Sequence, residues 1–108
     1  MDLENLEKNI EYIFKNKTFL KIALTHTSYA NEKNVESNER IEFLGDAILE
    51  YIISKHLFSY KEKIVEGEMT KVRAATVCEK SLYEIAKKHN FGDFLFLGKS
   101  EILRRRKR

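Results

Sequence analysis

Proline is missing from all 108 residues, glycine occurs only four times and cysteine once. Ordinary usage would place about five prolines in a chain of this length, so a turn-rich all-β sandwich is disfavoured and a chain made mostly of helix is expected. Cys78 has no second cysteine to pair with and no CxxC neighbour, which fits a reducing, cytoplasmic setting. No apolar run is long enough for a membrane span, and the acidic start MDLENLEKN does not resemble a signal peptide, so no membrane partner is expected. The length admits one domain and excludes a multidomain enzyme. The chain does contain 43% hydrophobic residues, twelve of them Phe or Tyr, enough for a modest core.

The net charge of +3 hints at nucleic acid until it is divided along the chain. Arg104, Arg105, Arg106, Lys107 and Arg108 are all basic, whereas residues 1–103 carry fifteen Lys/Arg against seventeen Asp/Glu. The body is acidic and the basic character belongs to residues 104–108. That run reads as a flexible, solvated tail making weak contacts to RNA phosphate.

Apolar spacings of three and four predict a helix from Leu3 to about Lys15. Asn16-Lys17-Thr18 then offers a break and an N-cap for a short helix carrying Phe19, Leu20, Ile22, Ala23 and Leu24, ended by His26-Thr27-Ser28-Tyr29. Residues 30–38 are polar and predict an exposed loop. Ser37 or Asn38 can cap a central helix from Glu39 to about His56. A linker over 61–67 precedes a helical stretch to Lys88 with a break near Thr76, and Asn90 and Gly92 stop it. Phe91, Phe94, Leu95, Phe96 and Leu97 form an apolar patch that something must cover.

The central helix holds the chemistry. Spacings of three and four put Glu39, Glu42 and Asp46 in one stripe, which Glu50 continues. Ile41, Leu44, Ile48, Tyr51 and Ile52 form a core face, and with Phe43, Ala47, Leu49 and Ile53 flanking the stripe the helix is expected to be enclosed on most sides. Stacked carboxylates in such a place repel unless a positive group offsets them, and a hard divalent cation with oxygen ligands is one solution. The alternative is a plain solvent face whose charges pair with Arg40 or with lysines of other elements.

The string Asn38-Glu39-Arg40-Ile41-Glu42-Phe43-Leu44-Gly45-Asp46-Ala47 resembles the signature of the ribonuclease III family, endonucleases that cut double-stranded RNA. His26-Thr27-Ser28-Tyr29 resembles the family's upstream motif, and Glu66-Gly67-Glu68-Met69-Thr70 with Arg73-Ala74 its third. Phe91-Gly92 through Leu97-Gly98-Lys99 is similar to a further turn, so the likeness runs over about residues 5–101. It implies an all-α, ribonuclease III-like catalytic domain over residues 1–103, incomplete at its C-terminus and without a double-stranded RNA-binding domain. It further implies Glu42 as ligand of a catalytic Mg²⁺ (or Mn²⁺) and Asp46 as the acidic active-site residue beside it. Glu39 and Glu66 would help assemble the cleavage site. Phe43 would press into a hollow on the partner subunit of a symmetric homodimer; an ordinary core Phe is the alternative.

The family completes its metal site with a second acidic pair on a later helix, in a segment similar to Ala-Asp-x-x-Glu-Ala-Leu-Ile-Gly. Here Glu101 is the last acidic residue and RRRKR follows Leu103. The expectation is therefore a truncated or frameshifted product or a fragment, impaired in cleavage, with Phe94, Phe96 and Leu97 uncovered. Three readings follow: a metal-dependent endoribonuclease of RNA processing, including that of ribosomal RNA; a non-catalytic RNA-binding or dimerisation module of the same fold; and a helical interaction domain whose acidic stripe meets a basic partner. The motif identity argues against the third.

Overall fold

The structure, a computed structural model, describes residues 2–107. Among them the regular structure is helical: α1 (Leu3–Ile10), α2 (Lys17–Ala23), α3 (Thr27–Lys33), α4 (Glu39–Phe58), α5 (Glu66–Thr76), α6 (Glu79–Lys88), a 3₁₀ turn (Phe91–Phe94) and α7 (Lys99–Arg106). The all-α expectation holds.

Helix α1 ends five residues earlier than its apolar spacing predicts. The Glu7 carboxylate is buried, accepts the Phe14 amide at 2.7 Å and pairs with the Lys17 ammonium. Residues 11–16 wrap around that side chain instead of extending the helix, and Glu11 takes the left-handed conformation at φ 56°. The Lys17 ammonium, followed by the Phe14 N–H, holds the Glu7 carboxyl below its usual range. Of the stretch 16–18 expected to break the chain and cap α2, Asn16 is the cap, its side-chain oxygen accepting the Thr18 amide at 2.9 Å.

His26-Thr27-Ser28-Tyr29 begins a helix rather than ending one. His26 Nδ1 accepts the Ser28 amide at 3.1 Å, a cap that lies outside the usual Ser, Thr, Asp and Asn set. The predicted loop over 30–38 shrinks accordingly, since Ala30–Lys33 complete α3. The break near Thr76 is observed, with α5 and α6 separated by Val77 and Cys78.

Leu6, Leu20, Leu24 and Phe94 form the buried cluster, with Leu3, Ile10, Phe14, Phe91, Leu95 and Phe96 packed around it. The chain after the 3₁₀ turn runs beside the end of α2, where Phe96 donates to the Leu24 carbonyl at 2.9 Å and His26 donates to the Phe96 carbonyl at 3.1 Å. Phe94 is therefore buried and Phe96 and Leu97 are partly covered, contrary to the expectation that they lie open. The apolar patch is claimed by α1 and α2.

What does lie open is α4. It packs on α2 and α5, and only Leu57 along its length is buried. Leu44, Ile48, Tyr51 and Ile52, read from their spacing as a core face, are all about half exposed or more. The enclosure expected for this helix is not supplied by the described residues. The radius of gyration, 16.6 Å, exceeds the value of about 13 Å for a compact chain of this length, as an uncovered helix requires.

The basic run is also not a free tail. Helix α7 continues through Arg106, because Glu101, itself buried, accepts from Arg104 Nη2 at 2.7 Å and from Arg105 Nε at 2.9 Å. The two guanidiniums, Arg104 first, lower the Glu101 carboxyl to about 2. The start of α7 is seated on α3: Gly98 donates to Ser28 Oγ at 2.9 Å and Lys99 to Glu32 Oε1 at 2.7 Å.

Candidate functional site

The first turn of α4 is pinned from the preceding elements. Asn38, at the N-cap, donates its amide to the Thr25 carbonyl at 3.0 Å and its side-chain nitrogen to the Ala23 carbonyl at 3.2 Å. It therefore serves as an anchor rather than as a side-chain cap. Thr27 Oγ1 donates to Glu39 Oε1 at 2.8 Å. The upstream motif and the central motif, separate in sequence, thus meet at one corner, and that corner sets where the stripe on α4 begins. Neither Asn38's anchoring role nor the Thr27 contact is legible in the sequence, because both depend on how α2 and α3 approach α4.

Glu39, Glu42, Asp46 and Glu50 follow each other along one exposed side of α4. Among the described residues none of the four makes an ion pair, and Arg40 does not pair with them. The stripe was expected to be partly buried and is not, so water screens its repulsion and burial does not demand a counter-ion. Two features remain that suit a hard cation. Glu42 and Asp46 stand one turn apart, and both are oxygen donors with no competing partner among the described residues. Mg²⁺ is commonly held by one or two carboxylates together with water and substrate phosphate. The donor set fits such an ion as a pair: among the described residues no group of three or more His, Cys, Asp or Glu is placed to hold a metal.

Glu66 is not brought to this pair. It opens α5 and lines a cavity of about 220 Å³ with Ser54, Leu57, Phe58, Met69, Thr70 and Arg73. Helical rise places Phe58 about 24 Å along α4 from Glu42. Arg73, in the third motif, locks α5 to α4 by donating from Nη1 to Ser54 Oγ at 2.8 Å. Phe43 is 82% exposed and follows Glu42 directly, so the core alternative fails for this chain. Of the five basic terminal residues, Arg104 and Arg105 engage Glu101, Arg106 and Lys107 close α7, and Arg108 lies outside the described residues. No helix among the described residues is long and apolar enough to cross a membrane.

A family model described as Ribonuclease-III-like matches residues 16–108. The chain is 52% identical over 101 residues to ribonuclease 3 of Clostridium beijerinckii, covering 92% of this chain and 43% of that protein. It is 49% identical over 104 residues to ribonuclease 3 of Oceanobacillus iheyensis, covering 94% and 46%. The chain therefore spans less than half the length of these curated relatives. Among solved structures, the nuclease domain of ribonuclease III from Campylobacter jejuni matches with a TM-score of 0.86 at 43% identity, over 95% of this chain and 70% of that one; that structure is described for flexibility in a region involved in dimer formation. With the motif corner, the helical fold and these likenesses in agreement, the chain belongs to the ribonuclease III family.

Proposed function

We propose that this chain acts in RNA processing as part of a Mg²⁺- or Mn²⁺-dependent endonuclease of double-stranded RNA, working as a homodimer in the cytoplasm. The observation that carries the reading is the Glu42–Asp46 pair, exposed on α4 without a cationic partner among the described residues, in a member of this family. These two carboxylates would hold the ion, which when bound supplies polarisation of the phosphodiester and a lowered pKa for the attacking water. Thr27 fixes Glu39 at the entrance of the stripe, and Asn38 fixes the rotation of α4 that presents all of it. Phe43 and the exposed apolar positions of α4 are the surface for a second copy. Glu66, remote from Glu42 within one chain, is available to a site that a partner helps to form. The basic run that begins at Arg104 would contact RNA phosphate only through the donors that Glu101 does not take.

Two carboxylates are fewer than a complete acidic shell, so the 108 residues by themselves are expected to cleave weakly. The uncovered α4 face, with no three-ligand cluster among the described residues, favours a second reading, a duplex-binding or dimerisation module without cleavage. Incubation with long duplex RNA and Mg²⁺ separates the two. Product that vanishes in Asp46→Asn supports the nuclease; duplex binding with no product supports the module. Calorimetric titration with Mn²⁺, compared between the wild type and Glu42→Gln, tests the ion site directly.

A further inference from the structure

The charge of this molecule is sorted along its chain. Residues 87–107 carry seven Lys/Arg and two Asp/Glu, whereas residues 2–86 carry twelve and fifteen. The basic part is not spread over a flexible end, because α7 is folded through Arg106. It borders a groove of about 470 Å³ between the end of α6, the 3₁₀ turn and α7, whose walls include Tyr83, Lys87, Asn90, Phe91, Asp93 and Arg105.

Two of the wall residues, Lys87 and Arg105, are cationic. Arg105 spends only its Nε on Glu101. Its two terminal nitrogens have no hydrogen-bond partner among the described residues, so the stem is fixed while the fork remains available. Arg104 takes both oxygens of the same carboxylate, so the single charge of Glu101 is shared between two guanidiniums and offsets only part of theirs. Lys87 stands in the last turn of α6 with no ion pair among the described residues. Tyr83 is 62% exposed and Phe91 stacks on His89 with ring centroids 5.7 Å apart, which stiffens the floor. Asn90 sits in the left-handed conformation at φ 57° and turns the chain at the groove's edge. Asp93 is the one acid in the wall and leaves the lining with a surplus of positive charge.

Guanidinium, ammonium, phenol and carboxamide are the side chains that commonly contact nucleic-acid phosphates. We infer that this α6–α7 groove is a phosphate-docking site for the backbone of duplex RNA, with Lys87 and Arg105 as its two charged contacts. The inference rests on the reading of the chain as a duplex-RNA protein and adds to it a defined contact outside the α4 stripe. It also replaces a diffuse basic tail with one tail residue and one residue, Lys87, that composition does not single out.

The test is binding of a short RNA duplex in EDTA, where cleavage is silent, with affinity measured from low to moderate salt. Lys87→Gln and Arg105→Gln should each lower the slope of log affinity against log salt by about 1 and weaken binding about fivefold to tenfold at 0.1 M salt. The double variant should lose about 2 from the slope. Lys63→Gln, in the α4–α5 connection, should leave the slope unchanged. If both groove variants keep the wild-type slope and affinity, the groove is overturned while the duplex-RNA reading stands. An equal loss in Lys63→Gln also overturns it, since the attraction would then be diffuse. A wild-type chain that ignores duplex RNA but binds anionic vesicles overturns both. Far-UV circular dichroism of each variant confirms that the helices persist.

Discussion

Replacing Phe43 with alanine separates two roles that differ in magnitude as well as in kind. A Phe built into a core loses about 3–5 kcal/mol of folding stability on truncation. Phe43 is 82% exposed, so within one chain almost no apolar contact is removed, and the change in folding stability should stay within about 0.5 kcal/mol. At an interface the arithmetic reverses. Burying an exposed Phe side chain contributes about 1.5–3 kcal/mol, and a two-fold symmetric dimer contains the contact twice. Phe43→Ala should therefore weaken the dimer by about 3–6 kcal/mol, a factor of roughly 10² to 10⁴ in the dissociation constant. Sedimentation equilibrium over a wide concentration range measures the second quantity. Urea denaturation below the wild-type dissociation constant measures the first, free of the coupling between association and stability. A variant that dimerises like the wild type, or whose monomer loses several kcal/mol, would refute the assignment of this side chain to a subunit contact.

Two further outcomes follow from the seat of α7. At Gly98 an added Cβ would lie 2.7 Å from the Ser28 carbonyl oxygen and 2.9 Å from Glu32 Oε1, so Gly98→Ala should destabilise by about 1–3 kcal/mol through overpacking. A thermal melt should show the midpoint falling by about 4–8 °C for each kcal/mol, and an unchanged midpoint would mean that α3 and α7 are not held this closely. Glu101, held at about 2 against the usual 4.5, contributes stability that is fully present above pH 4.5 and is lost as the pH falls towards 2. Glu101→Gln should remove that part of the acid dependence, so its stability should decline less than that of the wild type between pH 4.5 and 2. Parallel acid profiles would show that the two arginine pairs are not formed in solution.

Local features of the chain were legible where the chemistry was local. The break and cap within residues 16–18, the long glycine-poor run of α4 and the break near Thr76 each depend on a few neighbouring residues, and each is found where the sequence leads one to expect it. The errors arose where a distant partner decided the outcome. Residues 11–15 continue a helical apolar pattern but yield to the Glu7 carboxylate, which takes the Phe14 amide out of the helix. His26 starts a helix because its ring nitrogen accepts the Ser28 amide of the helix's first turn. The basic run is helical because Glu101, buried one turn earlier, engages two of its arginines.

The candidate site divides in the same way. Helical periodicity alone places Glu39, Glu42 and Asp46 on one stripe, since 3.6 residues per turn leave no other arrangement once the helix forms. Composition and motif likewise determine an all-helical member of the ribonuclease III family. Only the tertiary structure decides what surrounds the stripe, because exposure depends on which other elements pack against α4. An apolar pattern predicts burial without saying whether the cover comes from the same chain. Here α2 and α5 cover part of the helix and leave Phe43 and its neighbours open. The same limit applies to Glu66 and Lys87: that Glu66 lies beside the far end of α4 and that Lys87 shares a groove with Arg105 depend on residues far apart in the chain.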